Sequence, residues 1–467
     1  MINGVEGLAL RAQPPEPEVL AQPLRQRTGQ RALATSKETK EHTMHFANRP
    51  TVQAAASLAL ASIGLMTAAA VSAKEVTVWA WDPNFNIAIM KDAAARYTAK
   101  HPDATFKIVD MSKADLEQKL QTTLASGVTK SLPDIVLVED YNAQKYLRSF
   151  PGSFESMTGK VNYAGFAKYK VDLMTVDGKT YGLPFDSGVT GMYYRKDLLA
   201  KAGFSEKDME NITWDRYIEI GTKVMATTGK KMLGIDPNDN GLIRVMMQSA
   251  GRWYFDKDGK LDIKGNPALK AAMEVQAKLF KSGIVKPVTN WAEYVGAVNK
   301  GDVASITTGV WITGAVKSEK SQSGLWAVAP TPKLNIAGAT HASNLGGSSW
   351  YVLSGGKEKT MAVDFLNEIY AKDVDFYQSI LASRGAVGTL MASRAGKAYS
   401  EADPFFGGSQ VWLRFSDWLE KVPSVNYGMF TYEGDAAVSA QLPALANGIP
   451  VDQLLDKIQQ QLAAQIK

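Results

Sequence analysis

Residues 181–203 read YGLPFDSGVTGMYYRKDLLAKAG, and the reading of this stretch decides the fold. Up to Pro184 it has the character of the end of one compact α/β unit. After Tyr194 a helix begins a second unit, with Lys196 and Asp197 at its mouth. Between them, residues 185–192 hold Gly188 and Gly191 and only one charge, Asp186. Such a stretch is expected to run extended and carry the chain from one lobe to another. A cleft between two lobes is a favoured place for a small-molecule site.

The chain before this crossing alternates elements. Residues 76–80 alternate as a strand and stop at the turn Trp81-Asp82-Pro83-Asn84. Ile89, Ala93 and Tyr97 recur at helical spacing. Phe106 and Ile108 mark a second strand. Leu116, Leu120 and Leu124 mark a second helix, closed by Gly127. Residues 134–138 (DIVLV) form an apolar run suited to a strand covered on both faces, and lead into Glu139-Asp140-Tyr141. The order β-α-β-α-β implies a parallel sheet with helical crossovers. In open sheets of this kind ligands sit beyond the C-terminal strand ends, which here carry Trp81-Asp82 and Glu139-Asp140.

Beyond the crossing, residues 214–227 and 268–282 read as helices, the latter stopped by Gly283, and 243–251 as a third. Short strands are expected at 233–236, 301–306 and 326–329. A second crossing is expected at 344–353 and a third, Gly-containing one at 383–388. The chain ends in a helix from Val451 whose apolar face carries Leu454, Leu455, Ile458 and Leu462.

Composition narrows the function. At 467 residues with 45% hydrophobic content, two or three domains with a large core are within reach. The absence of cysteine excludes disulfides, thiolate metal sites and a cysteine nucleophile. The four histidines, His42, His45, His101 and His341, offer no metal-ligand spacing, so neither metal nor cofactor is expected. Residues 1–43 are rich in Gln, Pro, Arg and Glu without a sustained period, and we read them as a misplaced leader. Residues 44–73 read as a cleavable signal peptide: Met44, a basic Arg49, a small apolar run, and Val71-Ser72-Ala73 at the exit. The product is then expected to be exported to the periplasm of a diderm bacterium. After residue 73 the charge is +3, from 45 basic and 42 acidic side chains, which gives no argument for nucleic acid.

Four segments together resemble the extracellular solute-binding proteins of carbohydrate ABC transporters, the maltose-binding-like family 1. They are 75–81 (EVTVWAW), 182–198 (GLPFDSGVTGMYYRKDL), 300–311 (KGDVASITTGVW) and 346–353 (GGSSWYVL). The resemblance covers residues 74–467, and the long leader is its one departure. It implies a two-lobe periplasmic binding protein fold (type II), of class α/β. Parallel-sheet lobes are joined by crossing strands, with a ligand cleft between them. One lobe would comprise 74–186 and 345–384, the other 187–344 and 385–467. It also implies a monomeric receptor, not an enzyme, that closes on a carbohydrate and docks on permease subunits in the inner membrane.

A sugar offers apolar C–H faces to aromatic rings and hydroxyls to planar donors and acceptors. The candidate ligand residues are accordingly Trp81, Trp253 and Trp311 for stacking, and Asp82, Glu139, Asp140, Asp186 and Arg384 for hydroxyls. Gly346 and Gly347 would let backbone N–H groups approach. Each has a plainer alternative. The aspartates can form caps or turns, Asp186 can fix the hinge, Trp253 can pack beside Phe255, and Arg384 can pair with an acid. Tyr427 and Tyr432 are weaker candidates. Other readings are a receptor for a polyol or glycerophosphodiester, an iron site at Tyr193-Tyr194, and a secreted carbohydrate-active enzyme with Glu139 and Asp186 as paired carboxylates.

Overall fold

The computed structural model describes residues 74–466. The leader and signal-peptide expectations therefore fall outside the described residues. Besides a short hairpin at 175–180, ten strands carry the fold. They are β1 (Lys74–Ala80), β2 (Ala104–Asp110), β3 (Ile135–Glu139), β4 (Gly182–Pro184), β5 (Thr190–Arg195), β6 (Leu233–Ile235), β7 (Val285–Pro287), β8 (Ser305–Gly309), β9 (Trp326–Ala329) and β10 (Ser348–Val352).

The first sheet has the order β2-β1-β3-β10-β4. β2 and β3 run parallel to β1, as the β-α-β-α-β reading requires. The returning β10 is inserted antiparallel between β3 and β4, with Trp350 opposite both Leu137 and Leu183. In the second sheet β5 lies between β8 and β9, antiparallel to each. β6 and β7 pair in parallel. A parallel bridge between Lys231 and Val303 extends β6 alongside β8.

The sequence pattern explains these elements locally. The helices Lys113–Ser126 and Pro267–Ser282 begin on side-chain caps from Ser112 and Asn266, and end on Gly127 and Gly283 in the left-handed conformation. The last helix, Val451–Gln465, buries the four residues its pattern picks out. Val76, Val78, Ala80, Ile135, Leu137 and Trp350 form one core with Phe365 and Tyr370 on one face of the first sheet. From the other face, Trp79, Val136, Val138 and Tyr351 join a core continuous with that of the second lobe.

The lobes are joined where three chain segments lie side by side. Leu345 N donates to Gly188 O at 2.8 Å, Thr190 N to Ser343 O at 2.9 Å, and Ser187 N to Val387 O at 3.1 Å. The crossing at 185–192 is therefore extended, with its last three residues already inside β5. The third crossing begins later than the sequence suggested, because the helix Val374–Arg384 continues through Ser383 and Arg384. Sequence reading also began β8 four residues early, at Gly301, which instead makes a turn at φ 63°.

Candidate functional site

An open cavity of about 210 Å³ lies at the C-terminal ends of β6 and β8, beside the second crossing. Its lining includes Trp291, Tyr294, Trp311, Asp236, Asp239, Asn290, Thr307, Thr308 and Leu345. β6 ends at Ile235 and the chain turns at once through Asp236 to Asp239. Asp236 Oδ1 accepts from Asn238 N at 2.9 Å, and Asp239 Oδ1 accepts from Gly241 N at 2.6 Å. Each aspartate thus uses one oxygen to hold its loop. The second oxygen of each makes no hydrogen bond among the described residues, and both residues line the cavity, which makes them its candidate acceptors.

Trp311 follows β8 by one turn. Its indole folds back over Gly309, where a Cβ would come within 2.1 Å of Nε1. Only glycine permits that approach. Trp311 Nε1 donates to Leu345 O at 2.9 Å, which fixes the ring against the second crossing. The ring remains 39% exposed, and its neighbour Trp291 is 53% exposed. The two ring centroids are 5.6 Å apart with planes inclined at 48°. Tyr294 continues the strip 5.7 Å beyond Trp291. Its phenol is held well above the ordinary tyrosine range by desolvation. Such a surface combines apolar faces with acceptors and hydroxyls, the combination a neutral polyhydroxylated ring needs.

Of the residues singled out from sequence, Trp311 lines this cavity, and Gly346 follows its lining residue Leu345. The others lie elsewhere. Trp81 is half-buried at the end of β1. Asp82 takes a left-handed φ of 64°, and its Oδ1 accepts from Asn84 N and Phe85 N, which makes it a turn former. Glu139 pairs with Lys113 at 2.5 Å and accepts from Tyr432 Oη. Asp140 is fully buried and held by Lys170 Nζ at 2.6 and 2.8 Å. Burial pushes its carboxyl up to about 7, against the pull of the Lys170 ammonium.

Asp186 accepts from Ser348 N at 2.7 Å and Ser348 Oγ at 2.8 Å, tying the first crossing to the second. Its carboxyl is also raised by burial. Trp253 is 1% exposed, stacks on Tyr141 at 5.5 Å and donates to Thr431 Oγ1. Tyr427, edge-on to both rings, completes that buried cluster. Gly346 N donates to Tyr141 Oη at 3.0 Å, and Gly347 O accepts from Asp140 N at 3.0 Å. These glycines tie the crossing to the first lobe, with positive φ values of 80° and 92°. Arg384 reaches Asp92 at 3.1 Å. In this conformation, therefore, the buried acids and Trp253 hold the molecule together and present little surface to a ligand.

Tyr193 and Tyr194 are both fully buried in β5, and Tyr193 Oη bonds to Thr313. His101, Asp364 and Glu368 do gather within reach of one ion. Glu368 already pairs with Lys100 and His101, however, and Asp364 accepts from Tyr97. Sequence reading missed Trp291, Tyr294, Asp236, Asp239 and Asn290. A usable signal was present: Asn290 is a helix cap, accepting from Glu293 N at 3.0 Å, and Trp291 opens the helix Trp291–Asn299.

A family profile described as bacterial extracellular solute-binding protein matches residues 92–402. The chain belongs to this family. It is a solute-binding protein, not an enzyme, and an exported one. A lactose-binding protein of Rhizobium radiobacter is 62% identical over 411 residues, which cover 88% of this chain and 97% of that protein. An arabinooligosaccharide-binding protein of Bacillus subtilis is 27% identical over 304 residues, covering 62% and 68%. Among solved structures, the sugar-binding protein MalE from Xanthomonas citri superposes with TM-score 0.70 at 18% identity, covering 84% of this chain and 98% of that one. The ABC transporter associated binding protein from B. animalis subsp. lactis, in complex with β-1,6-galactobiose, gives 0.65 at 23%, covering 84% and 97%. These likenesses establish the two-lobe fold. Among the described residues of this solute-binding protein, no helix is long and apolar enough to cross a membrane.

Proposed function

We propose that this protein is the periplasmic receptor of an ABC importer and captures a disaccharide, a β-galactoside such as lactose, in the cavity walled by Trp311. The observation that carries the reading is the exposed Trp311–Trp291 pair sharing one cavity with two aspartates that follow β6. Stacking contributes roughly 0.5–1.5 kcal/mol per ring beyond area, whereas a micromolar complex requires about 8 kcal/mol. The carboxylates, Asn290 and the threonines supply the remaining recognition through hydroxyls. The lactose-binding relative supports the sugar class.

The cavity lining contains Asp236 and Asp239 and no lysine or arginine. That charge repels a phosphodiester anion, and the two helix N-termini at the cavity are already capped, Gly241 N by Asp239 and Glu293 N by Asn290. A polyol lacks the ring face that two tryptophans offer. On this reading residues 44–73 are removed on export, and the monomer is divided at the crossings as 74–186 with 345–384 and 187–344 with 385–467. The lobes close over the sugar, and the closed form engages the permease in the inner membrane.

The test is tryptophan fluorescence of the exported protein titrated with lactose, other disaccharides, mannitol and glycerophosphodiesters. A saturable change with lactose that Trp311→Ala removes is the expected result. Saturation by a phosphodiester alone would overturn the carbohydrate assignment.

A further inference from the structure

The site contains a second large exposed ring that no core requires. Trp291 is the first residue of its helix, and the inner face of that helix is already buried through Ala297 and Val298. Trp291 belongs to neither hydrophobic core. Its position is nevertheless firmly set. Asn290 caps the helix, and Thr289 N and Oγ1 both donate to Glu293 Oε2, at 2.8 and 2.9 Å. A tryptophan held in place yet 53% exposed, beside another at 39%, is a recognition surface more readily than a packing element.

We propose that Trp291 is a specificity-determining platform for a second sugar ring, so that the site distinguishes a disaccharide from its component monosaccharide. This rests on the carbohydrate reading above. At 5.6 Å between centroids, the rings of Trp291 and Trp311 touch one another and leave no room for a sugar between them. A ligand must lie across them. The 48° inclination makes the two faces separate platforms, so that one flat sugar ring cannot lie on both. The cavity of about 210 Å³ is smaller than the roughly 300–1,000 Å³ usual for drug-sized ligands. One ring fills it against Trp311, and the next emerges over the exposed face of Trp291. Thus Trp311 supports any bound sugar, while Trp291 supports only one that carries a second ring.

Calorimetric titration of wild type, Trp291→Ala and Trp291→Phe with paired probes tests this. The probes are lactose with galactose, and maltose with glucose. Trp291→Ala should weaken the disaccharide that binds by about 3–10-fold more than its monosaccharide, and Trp291→Phe should restore most of the difference. An unchanged melting temperature confirms that the half-exposed site still folds. Equal weakening of both members of a pair, or of neither, overturns the assignment of a second platform. Failure of wild type to bind any sugar would instead overturn the carbohydrate reading, and this inference with it.

Discussion

At the scale of single residues, the most consequential arrangement is a buried ammonium shared between two acids. Lys170 is fully buried, grips Asp140 with two hydrogen bonds and also donates to Ser348 O at 2.8 Å. Asp186 binds the same Ser348 through its N–H and hydroxyl. One cation therefore faces two desolvated carboxyls at the crossing, and both are raised by burial. An acid whose folded value is raised contributes stability that is complete below its unfolded value. That contribution is lost as pH rises through the folded value. For Asp140 the window runs from the ordinary aspartate range to about 7. Asp186→Asn retains an acceptor for Ser348 but removes one negative charge, which also lets Asp140 ionise more easily. The melting temperature of this variant relative to wild type should rise as pH is taken from about 5 to 8, since a tenfold change in proton affinity is worth about 1.4 kcal/mol. Parallel pH profiles in thermal melts would show that Asp186 neither titrates across this range nor influences Asp140.

At the scale of elements, the crossing depends on backbones packed too closely for a side chain. A Cβ on Gly188 would lie 2.0 Å from Leu345 O and 2.5 Å from Leu345 C. Those atoms are backbone and cannot swing aside. Gly188→Ala should therefore force the first and second crossings apart and lower stability by about 1–3 kcal/mol in urea unfolding. A midpoint unchanged from wild type would mean that the crossings slide freely. Sequence made this much of the architecture legible, because strand alternation, the Leu116-Leu120-Leu124 period and the glycine stops are local signals. It could not show that β10 enters the first sheet antiparallel between β3 and β4, since pairing is a tertiary choice. The candidate site was legible only at Trp311, whose position two residues after Gly309 has a steric cause. Asp140, Asp186 and Trp253 have the right chemistry for a sugar, but burial committed them to Lys170, Ser348 and Tyr141. Trp291 carries no sequence signal beyond the Asn290 cap, because it is the first residue of its helix and precedes the apolar period that becomes clear at Val295. In the sequence the strand-end rule points to β1 and β3, while the open cavity lies at the ends of β6 and β8.

At the scale of the whole molecule, one helix of the tail, Thr431–Ser439, connects the two halves through different side chains. Asp435 anchors it to the second lobe, accepting from Asn240 Nδ2 at 2.7 Å and Tyr254 Oη at 2.8 Å. Tyr432 reaches the first lobe, donating to Glu139 and accepting from Lys113 Nζ at 2.9 Å. Glu433 adds a weaker, partly exposed pair with Lys145 at 3.4 Å. Hinge opening must separate these partners, so they favour the conformation seen here whether or not a ligand is bound. A ligand that prefers the closed form binds more tightly when that form is already populated. Tyr432→Phe keeps the ring and removes the hydroxyl, at a cost of about 1 kcal/mol for one hydrogen bond, or about five-fold in an equilibrium constant. Its free form should therefore scatter X-rays with a larger radius of gyration than wild type, and bound sugar should dissociate up to about five-fold faster in stopped flow. Trp311→Ala removes a cavity wall and its bond to Leu345 O but leaves the Tyr432, Glu139 and Lys113 contacts intact, so it should weaken binding without moving the radius of the free protein. If Tyr432→Phe leaves both the radius and the dissociation rate unchanged, the tail helix rides with one lobe and closure is set at the crossings alone.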